Sequence, residues 1–170
     1  PLTDEEELWV EAMRKRLQAE GGYQDIQGTR PQSLAYGLTD SPIGLAAWII
    51  EKFHGWTVGG SDDPPPFSRA RLLPTVMLYW LGGINAANWL YWSVRHGGRL
   101  NLGPDQRIEV PTGFALFPAD LMLTPPESWM HRAYNVAERR VFPHGGHFPA
   151  MEQGALLVDE MRLFFRPYRG

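Results

Sequence analysis

Residues 144–152 read His144-Gly145-Gly146-His147-Phe148-Pro149-Ala150-Met151-Glu152, directly after the short apolar run Arg140-Val141-Phe142-Pro143. Adjacent glycines permit backbone conformations closed to other residues. They can therefore set the following imidazole, His147, in a cleft at a strand end, where open α/β sheets place their ligands. The other reading of this stretch is a plain turn with a surface histidine. Asp120 bears on the choice. It sits in Leu116-Phe117-Pro118-Ala119-Asp120, after the strand-forming run Val110 to Phe117, just as His147 follows the run Arg139 to Phe142. A carboxylate beside an imidazole fixes its tautomer and stabilises the cation formed when the ring takes a proton.

Outward from this pair the pattern is strand, helix, strand, helix. Ser128 to Val136 reads as a helix between the two strands, which predicts a βαβ arrangement. A last amphipathic helix presents Leu157, Met161, Phe164, Phe165 and Tyr168 on one face and Asp159, Glu160, Arg162 and Arg166 on the other.

The first hundred residues read as helical. Thr3-Asp4-Glu5-Glu6 is a capping box, with Arg14, Lys15 and Arg16 expected in the last turn of that helix. Leu8, Trp9, Ala12, Met13 and Leu17 form its apolar stripe, and Gly21-Gly22 ends it. A short helix runs through Ile26 to a break at Pro31. Ser41-Pro42 starts a helix that is apolar nearly all round as far as Phe53, which predicts burial. Val58 to Pro66 is a loop. Ser68 to Leu81 is a helix carrying Pro74, and after Gly82-Gly83 another runs through Ala86, Trp89, Leu90 and Tyr91 to Gly97.

Composition excludes several classes. Hydrophobic residues are 44% and charged residues 21%, with a net charge of −3 and no basic stripe, so nucleic acid is not expected as a partner. Without cysteine there is no disulfide, thiolate nucleophile or zinc–sulfur site. Apolar runs fall short of a membrane span and the N-terminus is acidic, so neither a signal peptide nor an anchor is read, and a cytoplasmic protein is expected. His144, His147 and Glu152 lack a recognised metal spacing, and no cofactor is expected. His131 and His144 are read as surface histidines. Seven Trp, six Tyr and eight Phe suit an apolar pocket and a core equally well.

Acid before histidine, each on a loop after a strand, is also the order of the last two triad members in α/β-hydrolases. The sequence resembles the C-terminal part of microsomal-type epoxide hydrolases, which have that fold. The matching stretches are Leu38-Thr39-Asp40-Ser41-Pro42-Ile43-Gly44-Leu45-Ala46-Ala47-Trp48-Ile49-Ile50-Glu51-Lys52-Phe53, Val76-Met77-Leu78-Tyr79-Trp80, Val110-Pro111-Thr112-Gly113-Phe114, and Gly145-Gly146-His147-Phe148 with Met151-Glu152. The resemblance implies an α/β class chain with a helical cap over residues 1–105 and the last strands and helices of the hydrolase core over 106–170. It implies a small apolar epoxide as substrate, opened by an Asp nucleophile to a covalent ester that a His–acid pair then hydrolyses to a diol. His147 would be the general base and Asp120 its acid partner. Tyr23, in Gly22-Tyr23-Gln24-Asp25-Ile26-Gln27, and Tyr91, in Leu90-Tyr91-Trp92, would donate hydrogen bonds to the epoxide oxygen. Neutral phenols suit an opening epoxide, which develops alkoxide charge.

The chain departs from the family in lacking a nucleophile elbow of the G-x-S-x-G kind and a glycine-rich oxyanion loop. The expectation is therefore a C-terminal segment that works with an N-terminal hydrolase segment bearing the Asp nucleophile, with homo-oligomerisation left open. Strands 110–117 and 139–142 would otherwise be edge strands with bare faces. Two other functions compete: an inactive remnant that binds an apolar ligand or partner, and haloalkane dehalogenation, against which the tyrosine pair argues.

Overall fold

A computed structural model describes residues 1–60, 66–97, 102, 103 and 105–169. These fall into two compact units, one from residues 1–13, 56–60, 66, 102, 103 and 105–169, the other from 14–55 and 67–97. Stretch 61–65 of the expected loop lies outside the described residues.

The first unit is built on two parallel strands. Strand β1 (Ile108–Leu116) pairs with β2 (Tyr134–Val141) through helix α7 (Glu127–Ala133), the βαβ connection that the sequence predicts. Pairing slips between Ile108 and Pro111, where proline has no N–H to give the ladder. The helix is shorter than expected and the strand longer, because residues 134–136 turn extended. There Tyr134 sets its ring edge-on to Phe114 at 5.3 Å, a cross-strand contact invisible to local pattern. Beyond the strands, Phe117 and Phe142 stack at 4.9 Å, both buried.

Helix α1 (Asp4–Glu20) opens with the expected capping box, Thr3 N donating to Glu6 Oε2 at 2.9 Å and Glu6 N to Thr3 Oγ1 at 3.3 Å. Glu6 does more than cap. Its Oε1 also accepts from Ser128 Oγ and Trp129 Nε1, while Trp9 Nε1 donates to the Thr124 carbonyl at 2.8 Å. Bonds from Thr3 and Ser128 hold the Glu6 carboxyl below the usual range. Two expectations fail on α1: it continues to Glu20, so Arg14, Lys15 and Arg16 lie short of its last turn, and Leu8 of the stripe is exposed. Short helix α8 (Pro149–Glu152) and then α9 (Gly154–Phe165) follow the strands, α9 continuing into a 3-10 turn, Arg166–Tyr168. Phe164 lies so close over Gly113 that a Cβ there would meet its ring at 2.8 Å. Glu160 departs from the polar face assigned to it. It is buried against Arg140, whose Nη1 is 2.6 Å from its Oε2, and burial raises its carboxyl.

The second unit is helical: α2 (Gly22–Thr29), α3 (Pro31–Asp40), α4 (Pro42–Gly55), α5 (Arg69–Gly82) and α6 (Asn85–His96). The expected break at Pro31 is present, α2 ending at Thr29 with Arg30 between the helices, and Pro31 also opens α3 from its first turn, where a missing N–H costs nothing. Ser41 Oγ caps α4 by accepting from Gly44 N at 3.0 Å. Ala35, Leu38, Leu45, Val76 and Ile84 form the core. Helix α4 is less enclosed than its sequence suggests, with Leu45 and Phe53 buried and Ile43 exposed. Asn88, fully buried, accepts from Gln27 Nε2 at 2.9 Å and donates to the Pro31 carbonyl at 3.3 Å, tying α6 to α2 and α3. No helix among the described residues is long and apolar enough to cross a membrane.

Candidate active site

The loops that leave β1 and β2 run side by side past the ends of the strands. Phe142 N donates to the Leu116 carbonyl at 2.8 Å and Ala119 N to the Gly145 carbonyl at 3.0 Å, and Ala119 pairs with Gly146 in a parallel bridge. This extension carries Asp120 and His147 to the same C-terminal end of the sheet, the end at which open α/β sheets place their chemistry. Asp120 Oδ1 lies 2.8 Å from His147 Nδ1. The same oxygen accepts the Met122 N–H at 3.0 Å, which holds the carboxylate in place. With 35% of the His147 side chain and 31% of Asp120 exposed, the pair is open to water without being loose in it. A carboxylate on Nδ1 leaves Nε2 as the nitrogen that can take a proton from water.

Both glycines before His147 are required, for different reasons. Gly145 has φ +120°, and a Cβ there would also meet the Phe117 ring at 2.5 Å. At Gly146 the obstacle is backbone: a Cβ would stand 2.7 Å from the Trp56 carbonyl oxygen and 3.1 Å from that of Ala119. The segment Trp56–Val58 is thus part of this site. His147 N donates to the Trp56 carbonyl at 2.9 Å, and the Trp56 ring meets His147 edge-on at 5.2 Å and stacks on Phe148 at 6.4 Å. Glu152 completes it, accepting the N–H groups of Gly146, Phe148 and Val58.

Neither Trp56 nor the bonding of Glu152 stands out from the sequence. Glu152, five residues after His147, belongs to a stretch that carries the family resemblance, but its bonds to three backbone amides are not read from it. His144 and His131 are exposed, His131 pairing with Glu127 at 3.5 Å. Among the described residues no three His, Asp or Glu side chains are placed to share a metal ion.

Tyr23 and Tyr91 belong to the other compact unit, where α2 and α6 bring their rings edge-on at 5.6 Å. Gln24 Nε2 donates to the Tyr23 hydroxyl at 2.8 Å, and Lys52 Nζ lies over the Tyr23 ring, 4.9 Å from its centre. Burial first, and then the neighbouring Tyr23 phenol, push the Tyr91 hydroxyl up to about 12. Tyr91 is therefore a neutral hydrogen-bond donor throughout the ordinary pH range. Tyr79 contributes to the same shift. The structure thus brings together Asp120 with His147, and Tyr23 with Tyr91, each pair within its own unit.

No family model matches the chain. Curated relatives do. Epoxide hydrolase 1 of Sus scrofa is 36% identical over 87% of this chain and 34% of its own length, and that of Oryctolagus cuniculus is likewise 36% identical over 87% and 34%. Among solved structures, the juvenile hormone epoxide hydrolase of the silkworm Bombyx mori superposes with a TM-score of 0.84 at 29% identity, over 94% of this chain and 40% of its own. The chain belongs to the epoxide hydrolases. Its fold is that of the α/β-hydrolases, represented here by helices and a small two-stranded sheet. The Aspergillus niger epoxide hydrolase agrees, with a TM-score of 0.77 and 30% identity over 98% of this chain and 40% of its own. The chain spans little more than a third of the length of the curated relatives it matches.

Proposed function

We propose that this chain supplies the water-activating half of an epoxide hydrolase that converts a small apolar epoxide to a vicinal diol. The observation that carries the reading is the 2.8 Å contact between His147 Nδ1 and Asp120 Oδ1 at the C-terminal ends of two parallel strands. An ionised Asp carboxylate outside these residues attacks one epoxide carbon. The bond from that carbon to the ring oxygen breaks, and the alkoxide takes a proton from Tyr23 or Tyr91. Water then gives a proton to His147 Nε2 while its oxygen attacks the ester carbonyl carbon. Collapse expels the diol oxygen, which takes the proton back from the imidazolium. The regenerated carboxylic acid returns its proton to the phenolate, and the count closes.

In this reading residues 1–105 serve largely as cap and 106–170 as the end of the hydrolase core. Trp56–Val58, packed around His147, belong functionally with the core. The nucleophile is assigned to a further segment, in keeping with the share of its relatives that the chain spans.

The test is His147→Gln in the full-length enzyme, mixed with a chromogenic epoxide and followed by rapid quench and intact mass. One equivalent of ester is expected to form and persist, with no steady-state diol. Equal loss of ester formation and turnover would remove His147 as base of the second step. A wild-type enzyme that released halide from haloalkanes but no diol from epoxides would replace the reaction.

A further inference from the structure

Three successive N–H groups surround the His147 ring's attachment to the backbone, and all three are engaged. The middle one, of His147 itself, donates to the Trp56 carbonyl at 2.9 Å. The two flanking ones, of Gly146 and Phe148, converge on a single oxygen, Glu152 Oε1, at 3.0 and 3.1 Å. The other oxygen, Oε2, accepts the Val58 N–H at 3.2 Å. One carboxylate therefore straps both neighbours of His147 and joins their loop to the segment that receives the His147 amide. Hydrogen bonds to a carboxylate are about twice as strong as neutral ones. A glycine pair needs such a strap, because Gly145 and Gly146 give the loop more freedom than any other residues would.

We propose that Glu152 is a positioning residue for His147: its carboxylate fixes the loop backbone on both sides of the histidine and so holds the imidazole on Asp120. The proposal rests on the reading of His147 as base of ester hydrolysis, and it assigns Glu152 to that step alone. Ester formation uses a carboxylate that is already ionised and does not need the imidazole.

The experiment compares Glu152→Ala and Glu152→Gln in the full-length enzyme. Ester formation and ester hydrolysis are timed separately in single turnovers. Amide exchange at Gly146, Phe148 and Val58 and the low-field ring proton shared by His147 and Asp120 are followed by NMR. A misplacement of about 1 Å costs on the order of 100-fold, so Glu152→Ala is expected to slow hydrolysis about 10–100-fold. Ester formation should stay unchanged, Gly146 and Phe148 should lose protection, and the ring proton should broaden away. Gln keeps one oxygen for the two flanking amides, so it should recover most of the hydrolysis rate while Val58 alone exchanges faster. If Glu152→Ala does not fold, the Gln pattern decides alone.

Unchanged hydrolysis in Glu152→Ala overturns the proposal. So do equal losses in both half-reactions, which is what a merely structural role would give. A wild-type enzyme that forms no diol would defeat the functional reading instead. The ring proton would then judge the positioning role by itself, and its survival in Glu152→Ala would overturn it.

Discussion

Replacing Asp120 by Asn tests the base pair more sharply than removing it. The usual consequence of an Asp-to-Asn change beside a catalytic histidine is a wrong tautomer and a loss of about 10⁴-fold. The surroundings of Asp120 argue for a smaller effect. Oδ1 receives both the His147 ring nitrogen at 2.8 Å and the Met122 N–H at 3.0 Å. If the amide turned its NH2 group to this position, that group would face the Met122 N–H donor as well. The amide oxygen therefore takes the position, and Nδ1–H of His147 still has an acceptor. What is lost is charge. A hydrogen bond to a charged group contributes about 1.5–3 kcal/mol and a neutral one roughly half of that, so about 0.8–1.5 kcal/mol is lost. At about 1.4 kcal/mol per tenfold, ester hydrolysis should slow by roughly 4–12-fold. Ester formation should be untouched, so the adduct should accumulate in rapid-quench mass spectra. Asp120→Leu, with no acceptor at all, should fall well below Asn. Hydrolysis unaffected by Asn would refute the pairing. A loss as large as that of Leu would refute the orientation imposed by Met122.

The tyrosines and the glycine pair give two further tests. Tyr23→Phe and Tyr91→Phe should each slow ester formation, by about 10–100-fold if each donates to the developing alkoxide, with ester hydrolysis preserved. Single-turnover rates unchanged from wild type in both variants would take the phenols out of the mechanism. Tyr91 also has a stability signature. Its hydroxyl is raised to about 12, so the folded state keeps the proton that the unfolded chain releases from about pH 10 upward. The stability from its neutral burial is complete below pH 10 and lost as pH rises through 12. Urea midpoints at pH 8 and 11 should differ less in Tyr91→Phe than in wild type, and an identical difference would mean that the phenol does not titrate this way. Gly145→Ala meets both a φ of +120° and the Phe117 ring, and should cost about 1–3 kcal/mol with slowed ester hydrolysis. A thermal midpoint matching wild type would show that the loop takes another course.

How much of this could be read from the chain depends on how local each cause is. The capping box at Thr3 and Glu6, the Ser41 cap and the parallel strand–helix–strand order are written in neighbouring residues, and all appear in the structure. Pro31 is ambiguous by nature: the missing N–H that ends one helix is harmless in the first turn of the next, and nothing nearby distinguishes the two. Residues 134–136 carry on a helical pattern, and contacts with the other strand, the ladder to Ile108, Pro111 and Thr112 and the Phe114 ring on Tyr134, hold them extended. Glu160 shows the same limit in charge: its place in the periodicity assigns it to the polar face, while Arg140 two strand positions beyond Glu138 draws it under cover.

The site divides along the same line. Asp120 and His147 are legible because chemistry restricts their residue types and each follows a strand. What holds them is not legible, because the Trp56 carbonyl and the three amides on Glu152 are backbone groups that every residue carries. The sequence marks Asp120 and His147 as a candidate pair, but the bonds from Glu152 to the amides around His147 are revealed only by the folded chain. Gly146 admits the close approach of Trp56 and Ala119 and Gly145 that of the Phe117 ring, while the Glu152 carboxylate bonds the amides on either side of His147.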